Sequence, residues 1–232
     1  MRLAGETVVV TGASRGIGRA CALALSAEGA RLVLVARGEE ALGKVADEIR
    51  RRGGQAMAVS GDVRDEALAP RVFSAAQREL GPVSVLVNNA ATLELAPVAE
   101  LPVEAFDRTL DVNLKGSFLF AREAVRAMVP RGRGRIVFVS SISSTLGTPR
   151  ASAYNASKWA LNGLVKSLAE ELKGTGVLAL GVSPGSVDTA MLAQSGFPPA
   201  MQPEDVATVV RFLVTEAPAA MQGSIVEMFG DQ

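Results

Sequence analysis

The feature that most constrains this chain is a repeated alternation between short, unbroken apolar runs and longer amphipathic segments. The runs are Thr7–Val10, Arg31–Ala36, Gln55–Val59, Val83–Val87, Arg135–Ser140, Gly176–Ser183 and Ser224–Met228. They are rich in valine and leucine and show little polar alternation, as strands covered on both faces do. Helical patterns fill the intervals, at Gly16–Glu28, Glu39–Arg52, Asp65–Leu80, Val103–Val129, Ser152–Lys173 and Pro203–Glu216. Parallel neighbours cannot be joined by tight hairpins; they need long crossovers, which helices supply. The pattern predicts an α/β fold: a three-layer, doubly wound parallel sheet of about seven strands, in a single domain over residues 1–232. The stretch Gly185–Met201 carries neither pattern and reads as a loop.

Composition narrows the chemistry open to such a fold. The chain has no histidine and one cysteine, Cys21. Histidine general bases, serine–histidine triads, histidine-ligated metals and an internal disulfide are therefore all excluded, and no metal site is expected. Lysine plus arginine balance aspartate plus glutamate at 24 each, which argues against a nucleic-acid partner. No apolar run approaches the roughly 18 residues of a membrane span, so no membrane partner is expected. The opening Met1-Arg2-Leu3-Ala4-Gly5-Glu6 lacks the shape of a signal peptide, and a cytoplasmic location is expected.

The first strand run leads directly into Thr11-Gly12-Ala13-Ser14-Arg15-Gly16-Ile17-Gly18 and then a helix. Glycines at such a junction do separable jobs: a tight turn, close backbone approach to a pyrophosphate, and close helix–strand packing. The helix N-terminus adds unpaired N–H groups and a partial positive charge. This makes the expected sheet Rossmann-type, although a glycine-rich strand–helix turn can also be an ordinary connection. About 20 residues beyond such a turn an NAD-binding chain carries an acid for the ribose hydroxyl. Here the second strand ends Ala36-Arg37, and Arg15 lies within the turn. Two guanidinium groups at that place favour a 2′-phosphate, hence NADP(H) over NAD(H). Either arginine can equally be a solvated surface charge, and Glu39 and Glu40 lie close enough to blunt the effect.

Tyr154 is the only tyrosine, and Lys158 follows one helical turn later on the same face. An ammonium near a phenol lowers a pKa that starts near about 10, making the phenol a usable proton donor or acceptor. Taken alone, the pair is also what a half-buried tyrosine beside a solvated lysine looks like.

In combination, these motifs make the chain resemble the short-chain dehydrogenase/reductase family in its single-domain branch, and most of all 3-oxoacyl-carrier-protein reductases. Thr11–Gly18 is similar to the family's T-G-x-x-x-G-x-G turn. Asn88-Asn89-Ala90 follows the fourth strand, and Asn113 lies in Asp111-Val112-Asn113-Leu114. Ser141 precedes Tyr154 by the family's interval, Tyr154-Asn155-Ala156-Ser157-Lys158 is its Y-x-x-x-K, and Pro184-Gly185 with Thr189 follows the sixth strand. The resemblance implies that Tyr154 exchanges the proton, that Lys158 binds the nicotinamide ribose, that Ser141 holds the substrate oxygen, and that Asn113 carries a water linking Lys158 to solvent. It implies cofactor contacts at Gly12, Ser14, Arg15, Gly16, Ile17, Gly18, Arg37, Asp62, Val63, Asn89, Ala90, Tyr154, Lys158, Pro184, Gly185, Val187 and Thr189. Of these, Asp62 and Val63 would meet adenine, Asn89 and Ala90 the adenosine side, and Ile17, Val187 and Thr189 the nicotinamide half. Ile17 and Val187 can also be plain packing residues, and Asp62 a helix cap. The implied function is an NADP(H)-dependent oxidoreductase acting on a small-molecule carbonyl or alcohol, as a homodimer or homotetramer built on the helices near Val103–Val129 and Ser152–Lys173.

The chain departs from the family in three places. Ala91 stands where N-N-A-G has glycine, and Phe229-Gly230-Asp231-Gln232 lacks the family's C-terminal glycine pair. The loop between Pro184 and Pro203 is shorter than in many relatives, which implies an open site. A cofactor-binding sensor or scaffold without turnover is the alternative reading. The set Asn113, Ser141, Tyr154 and Lys158 weighs against it, since a binder has little need of all four. A sugar-nucleotide epimerase or dehydratase shares Y-x-x-x-K but needs a larger substrate domain.

Overall fold

The structure is a computed structural model that describes Met1 and residues 3–230. The readings that involve Arg2, Asp231 and Gln232 fall outside the described residues.

Seven strands form one parallel sheet: β1 (Thr7–Thr11), β2 (Arg31–Ala36), β3 (Gln55–Ser60), β4 (Val83–Asn88), β5 (Gly134–Val139), β6 (Val177–Pro184) and β7 (Ile225–Met228). Their order is β3-β2-β1-β4-β5-β6-β7, the doubly wound arrangement expected. The helices are α1 (Gly16–Ala27), α2 (Glu39–Arg51), α3 (Leu68–Glu79), α4 (Val103–Leu110), α5 (Gly116–Met128), α6 (Ser152–Glu171) and α7 (Pro203–Thr215).

Strand side chains alternate between two cores. Val8, Val10, Leu32 and Leu34 face one side, where α1, α2 and α7 pack; Val9, Val33 and Val35 face the other, under α3, α5 and α6. Both faces are therefore dry, which explains why β1, β2 and β4 read as continuous apolar runs. Each fully buried valine or leucine contributes about 1.5–3 kcal/mol relative to exposure. The inner strands are held in register by this two-sided burial: Val9 lies opposite Val33 on one side and Leu86 on the other.

Two helices depart from the periodicity reading. Helix α3 starts at Leu68, not Asp65. The Asp62 carboxylate accepts the Arg64 N–H at 3.0 Å, and the Asp65 carboxylate accepts that of Ala67 at 2.9 Å. These local turns compete with helical bonding and delay it. The long helix expected over Val103–Val129 is broken by one π-turn at Asp111–Lys115 between α4 and α5, and its last turn is a 3₁₀ turn at Val129–Arg131. The extra residue of a π-turn re-aims side chains, and here it carries the buried Asn113. The loop Gly185–Met201 is confirmed as irregular, with a single 3₁₀ turn at Leu192–Gln194 and a bridge between Val187 and Met201 across its base.

After β1 the chain turns to α1 on one face, whereas the segment after the adjacent β4 leads to α5 on the other. The two connections part at the carboxyl ends of these strands, and a crevice opens there, as it does at every topological switch point of an open α/β sheet.

Phe120 of α5 is fully buried in the second core. Phe120→Ala should cost about 3–5 kcal/mol of unfolding free energy, by lost transfer energy plus a residual cavity. Urea unfolding followed by circular dichroism checks this; a loss under about 1 kcal/mol would show that the core closes around the gap.

Candidate active site

The floor of the crevice is a clamp between β1 and β4. The buried Thr11 hydroxyl accepts the N–H groups of both Asn89 and Ala90, each at 3.0 Å. In return the Asn89 side-chain amide donates to the carbonyls of Thr11 at 2.9 Å and Gly12 at 3.2 Å. The glycine turn is wound around this clamp. Gly12 and Gly16 have φ of 66° and 52°, in the left-handed region open to glycine. A Cβ on Gly12 would lie 2.7 Å from the Asn89 amide, and one on Gly18 only 2.2 Å from the Gly12 carbonyl oxygen. The turn can thus be made only from these glycines at this closeness. It delivers the N-terminus of α1 uncapped: Arg15 at the cap makes no side-chain cap bond, and the first turn holds no acid. Free N–H donors with the positive end of a helix dipole suit a pyrophosphate.

Arg15 and Arg37 both line the cleft, and neither makes an ion pair among the described residues. The competition expected from Glu40 is reduced, because its carboxylate is held by Lys44 at 2.6 Å. Arg19, also at the cleft wall, is taken up by Glu48 at 2.6 Å. Asp62 is gripped by Arg64, whose guanidinium reaches both carboxylate oxygens at 2.8–3.1 Å. That bonding is the main reason why the Asp62 carboxyl lies below its ordinary range; Arg37 adds a smaller electrostatic pull.

Ser141, Tyr154 and Lys158 meet on the other side of the same cleft. Ser141 caps a short 3₁₀ turn at Ile142–Ser144, and its oxygen accepts the Ser143 N–H at 3.2 Å. A hydroxyl that accepts in this way keeps its own hydrogen free to donate. Tyr154 and Lys158 stand on the first two turns of α6. The Lys158 ammonium is 2% exposed, donates to the Val139 carbonyl at 2.9 Å, and lies 5.6 Å from the centre of the Tyr154 ring. Burial pushes the lysine down to about 8.

The expectation that the ammonium draws the tyrosine pKa down is corrected here. Burial of the phenol pushes it above its ordinary value, and the neighbouring Ser141 hydroxyl opposes this only in part. Desolvation wins here: the phenol loses more by burial than the Ser141 hydroxyl returns, and the Lys158 ammonium, itself buried, spends one donor on Val139.

Most of the residues anticipated from the sequence come together. Gly12, Ser14, Arg15, Gly16, Ile17, Arg37, Asp62, Val63, Asn89, Ala90, Ser141, Tyr154, Lys158, Pro184, Gly185, Val187 and Thr189 all border one cleft of about 1510 Å³. That exceeds the usual small-molecule pocket of about 300–1,000 Å³ and leaves space for a second ligand beside a dinucleotide. Gly18 and Asn113 lie behind its wall. Gly18 serves close packing beneath the turn. The Asn113 amide clasps the backbone of Thr92, accepting its N–H at 2.8 Å and donating to its carbonyl at 3.0 Å. Its second hydrogen goes to the Ser157 hydroxyl at 2.9 Å, which in turn donates to the Tyr154 carbonyl at 2.7 Å. Arg64 and Thr92 were not named from the sequence, and Thr11 and Ser157 stood there only as motif positions without a role. Arg64 had a usable signal, a cation two residues beyond Asp62, whereas the other three act through contacts that only folding creates.

Comparison with known proteins agrees with this arrangement. The family described as short chain dehydrogenase matches residues 6–197. An NADPH-dependent aldehyde reductase-like protein of Arabidopsis thaliana is 36% identical over 98% of this chain and 94% of its own length. A 3-oxoacyl-[acyl-carrier-protein] reductase of Synechocystis is 33% identical over 94% of this chain and 92% of its own. Among solved structures, an actinorhodin polyketide ketoreductase with NADPH superposes with a TM-score of 0.92 at 33% identity, over 97% of this chain and 96% of that one. A match of this extent shows that the chain belongs to the short-chain dehydrogenase/reductase family of oxidoreductases.

Proposed function

We propose that the chain, as one domain over residues 1–232, is an NADP(H)-dependent oxidoreductase that interconverts a carbonyl and a secondary alcohol, with Tyr154 as its acid–base group. The observation that carries this reading is the convergence of Ser141, Tyr154 and Lys158 on the cleft that also holds the glycine turn. The glycine cradle, the uncapped α1 terminus and the free guanidinium groups fit a dinucleotide phosphate. When bound, the nicotinamide supplies the hydride for reduction or takes it in oxidation.

The protein's own groups handle the oxygen and its proton. Burial keeps the Tyr154 phenol protonated at neutral pH, ready to give its proton to a carbonyl oxygen gaining negative charge. The free O–H of Ser141 donates to that oxygen and stabilises the developing charge. Lys158 has three N–H donors, of which Val139 takes one. The others are left for the ribose hydroxyl and the phenol side. Asn113 acts first as an anchor for Thr92 and, through Ser157, for the turn bearing Tyr154. With both amide hydrogens spent, a relay water linking Lys158 to solvent would rest on its remaining acceptor positions.

Arg15 and Arg37 support NADP(H) over NAD(H), since each lines the cleft with a guanidinium that makes no ion pair among the described residues and could take a 2′-phosphate. The relatives' names point the same way: the aldehyde reductase-like protein is called NADPH-dependent. We place the protein in the cytoplasm. Its lone Cys21 is buried with a thiol pushed up to about 12 and forms no disulfide, as a reducing compartment allows. No nucleic-acid or membrane partner is proposed. No helix among the described residues is long and apolar enough to cross a membrane. A homodimer or homotetramer is proposed on α4, the π-turn, α5 and α6, where Leu110, Leu114, Phe118 and Leu164 border an apolar groove and α6 also exposes Trp159.

Three measurements test this reading. Tyr154→Phe should lower kcat for NADPH-dependent carbonyl reduction by about 10²–10⁴-fold while NADPH affinity, read by fluorescence titration, stays close to that of the native protein. Unaltered turnover would remove Tyr154 from the mechanism. Arg37→Asp should move the NADP/NAD affinity ratio toward NAD by about 10- to 100-fold, the worth of one charge-assisted bond. A ratio that does not move would dismiss Arg37 as a phosphate ligand. Sedimentation at micromolar concentration should give a multiple of the 24.1 kDa chain mass, and a monomer would contradict the proposed assembly.

A further inference from the structure

The cleft is chemically divided along the sheet. The arginines that line it without an ion pair among the described residues, Arg15 after β1 and Arg37 after β2, follow strands on one side of the switch point, and the Asp62-bound Arg64 follows β3 on the same side. The walls supplied by the connections after β4, β5 and β6 are different. Leu93 and Leu95 follow β4, Leu146 follows β5, and Met191, Leu192 and Phe197 follow β6. Leu146 and Phe197 leave 53% and 52% of their surfaces to solvent from separate connections, so apolar surface stands uncovered on two walls of this end of the cleft.

Charge on this side does not favour an anion. The one surface cation in the lining, Arg108, is bound to Glu94 at 2.6 Å. Lys158 is buried and turned to Val139. Asp188 and Glu204 also line the cleft here, and neither makes an ion pair among the described residues. The hydroxyls are largely engaged as well. Ser143 and Thr148 bond each other at 3.2 Å, and Ser195 donates to the Leu192 carbonyl at 2.7 Å. A carboxylate entering this end would lose water and meet apolar walls and two acids, with no free guanidinium among the described residues that line it to replace the lost hydration.

We infer that the substrate is an uncharged, largely apolar carbonyl compound or its alcohol, seated between the Leu93/Leu95 segment, Leu146 and Phe197, and that the site discriminates against carbonyl compounds bearing a carboxylate. This rests on the carbonyl–alcohol reading above. The short loop Gly185–Met201 leaves this end open, so selection is by charge and polarity rather than by tight enclosure.

The test compares two ketones of matched shape, 4-methylacetophenone and 4-acetylbenzoate, by NADPH oxidation with the intact protein. The methyl ketone should have a kcat/KM about 100-fold higher, because an unpaired carboxylate is costly to desolvate against such walls. Leu146→Arg, a change at a half-exposed position, should narrow that ratio to about tenfold or less by supplying the missing cation. A native ratio near one, or one favouring the acid, overturns the substrate inference while leaving the reductase reading intact. A ratio unchanged by Leu146→Arg removes Leu146 from the substrate wall and overturns the inference as stated. Reduction of neither ketone, nor of any aldehyde or quinone in a wider panel, with NADPH binding demonstrated by fluorescence, would overturn the reductase reading and this inference with it.

Discussion

The chemistry of this protein depends on one topological constraint: β1 and β4 are neighbours in the sheet, but the chain leaves them toward opposite faces. No side chain has to make the crevice that results, but it must be held to a fixed width. The mutual bonding of Thr11 with Asn89 and Ala90 does this, with backbone groups of both connections satisfied at once. Gly12 and Gly18 must lack side chains because this clamp leaves no space for them. The proposed phosphate cradle is thus a consequence of how tightly two strand ends are joined.

The catalytic side follows the same logic with buried polar groups. Asn113 sits in a π-turn and connects the segment after β4 to α6, through Thr92 on one side and Ser157 on the other. A buried network of this sort is strong only when every member is satisfied, and here each hydrogen of the amide has a partner. The network orders the first turn of α6, so the proposed acid Tyr154 is presented from a fixed backbone. Lys158 lies deeper and is depressed toward about 8 by burial. Burial also raises the phenol. The same desolvation therefore drives the two groups' proton affinities apart from nearly equal ordinary values, favouring the neutral form of each, the opposite of what direct attraction between ammonium and phenolate would do.

The strands were legible to within about one residue because two-sided burial writes itself into composition: a strand between two helical layers has no polar face to interrupt the run. Helix limits were less legible where side chains bond locally. Asp62 and Asp65 look like acceptable helix residues in a periodicity count, but they withhold their neighbours' N–H groups from the helix and delay α3 to Leu68. The π-turn was invisible, since Asp111–Lys115 preserves the apolar stripe while shifting its phase. The cleft residues were legible as motif positions, and nearly all of them border one cavity. Gly18 and Asn113 show the limit of such reading, because a motif position can matter by supporting a site from behind.

By itself, then, the sequence determined the layer architecture, the place of the glycine turn and the set of groups available for proton transfer. Periodicity, glycine spacing and the lack of histidine are one-dimensional facts. The direction of the Tyr154 pKa, the commitment of Asn113 to Thr92 and Ser157, and the division of the cleft into a cationic and an apolar end were decided only by the tertiary structure. Each depends on which groups from distant parts of the chain exclude water from one another, and desolvation has no counterpart in the order of residues along a chain.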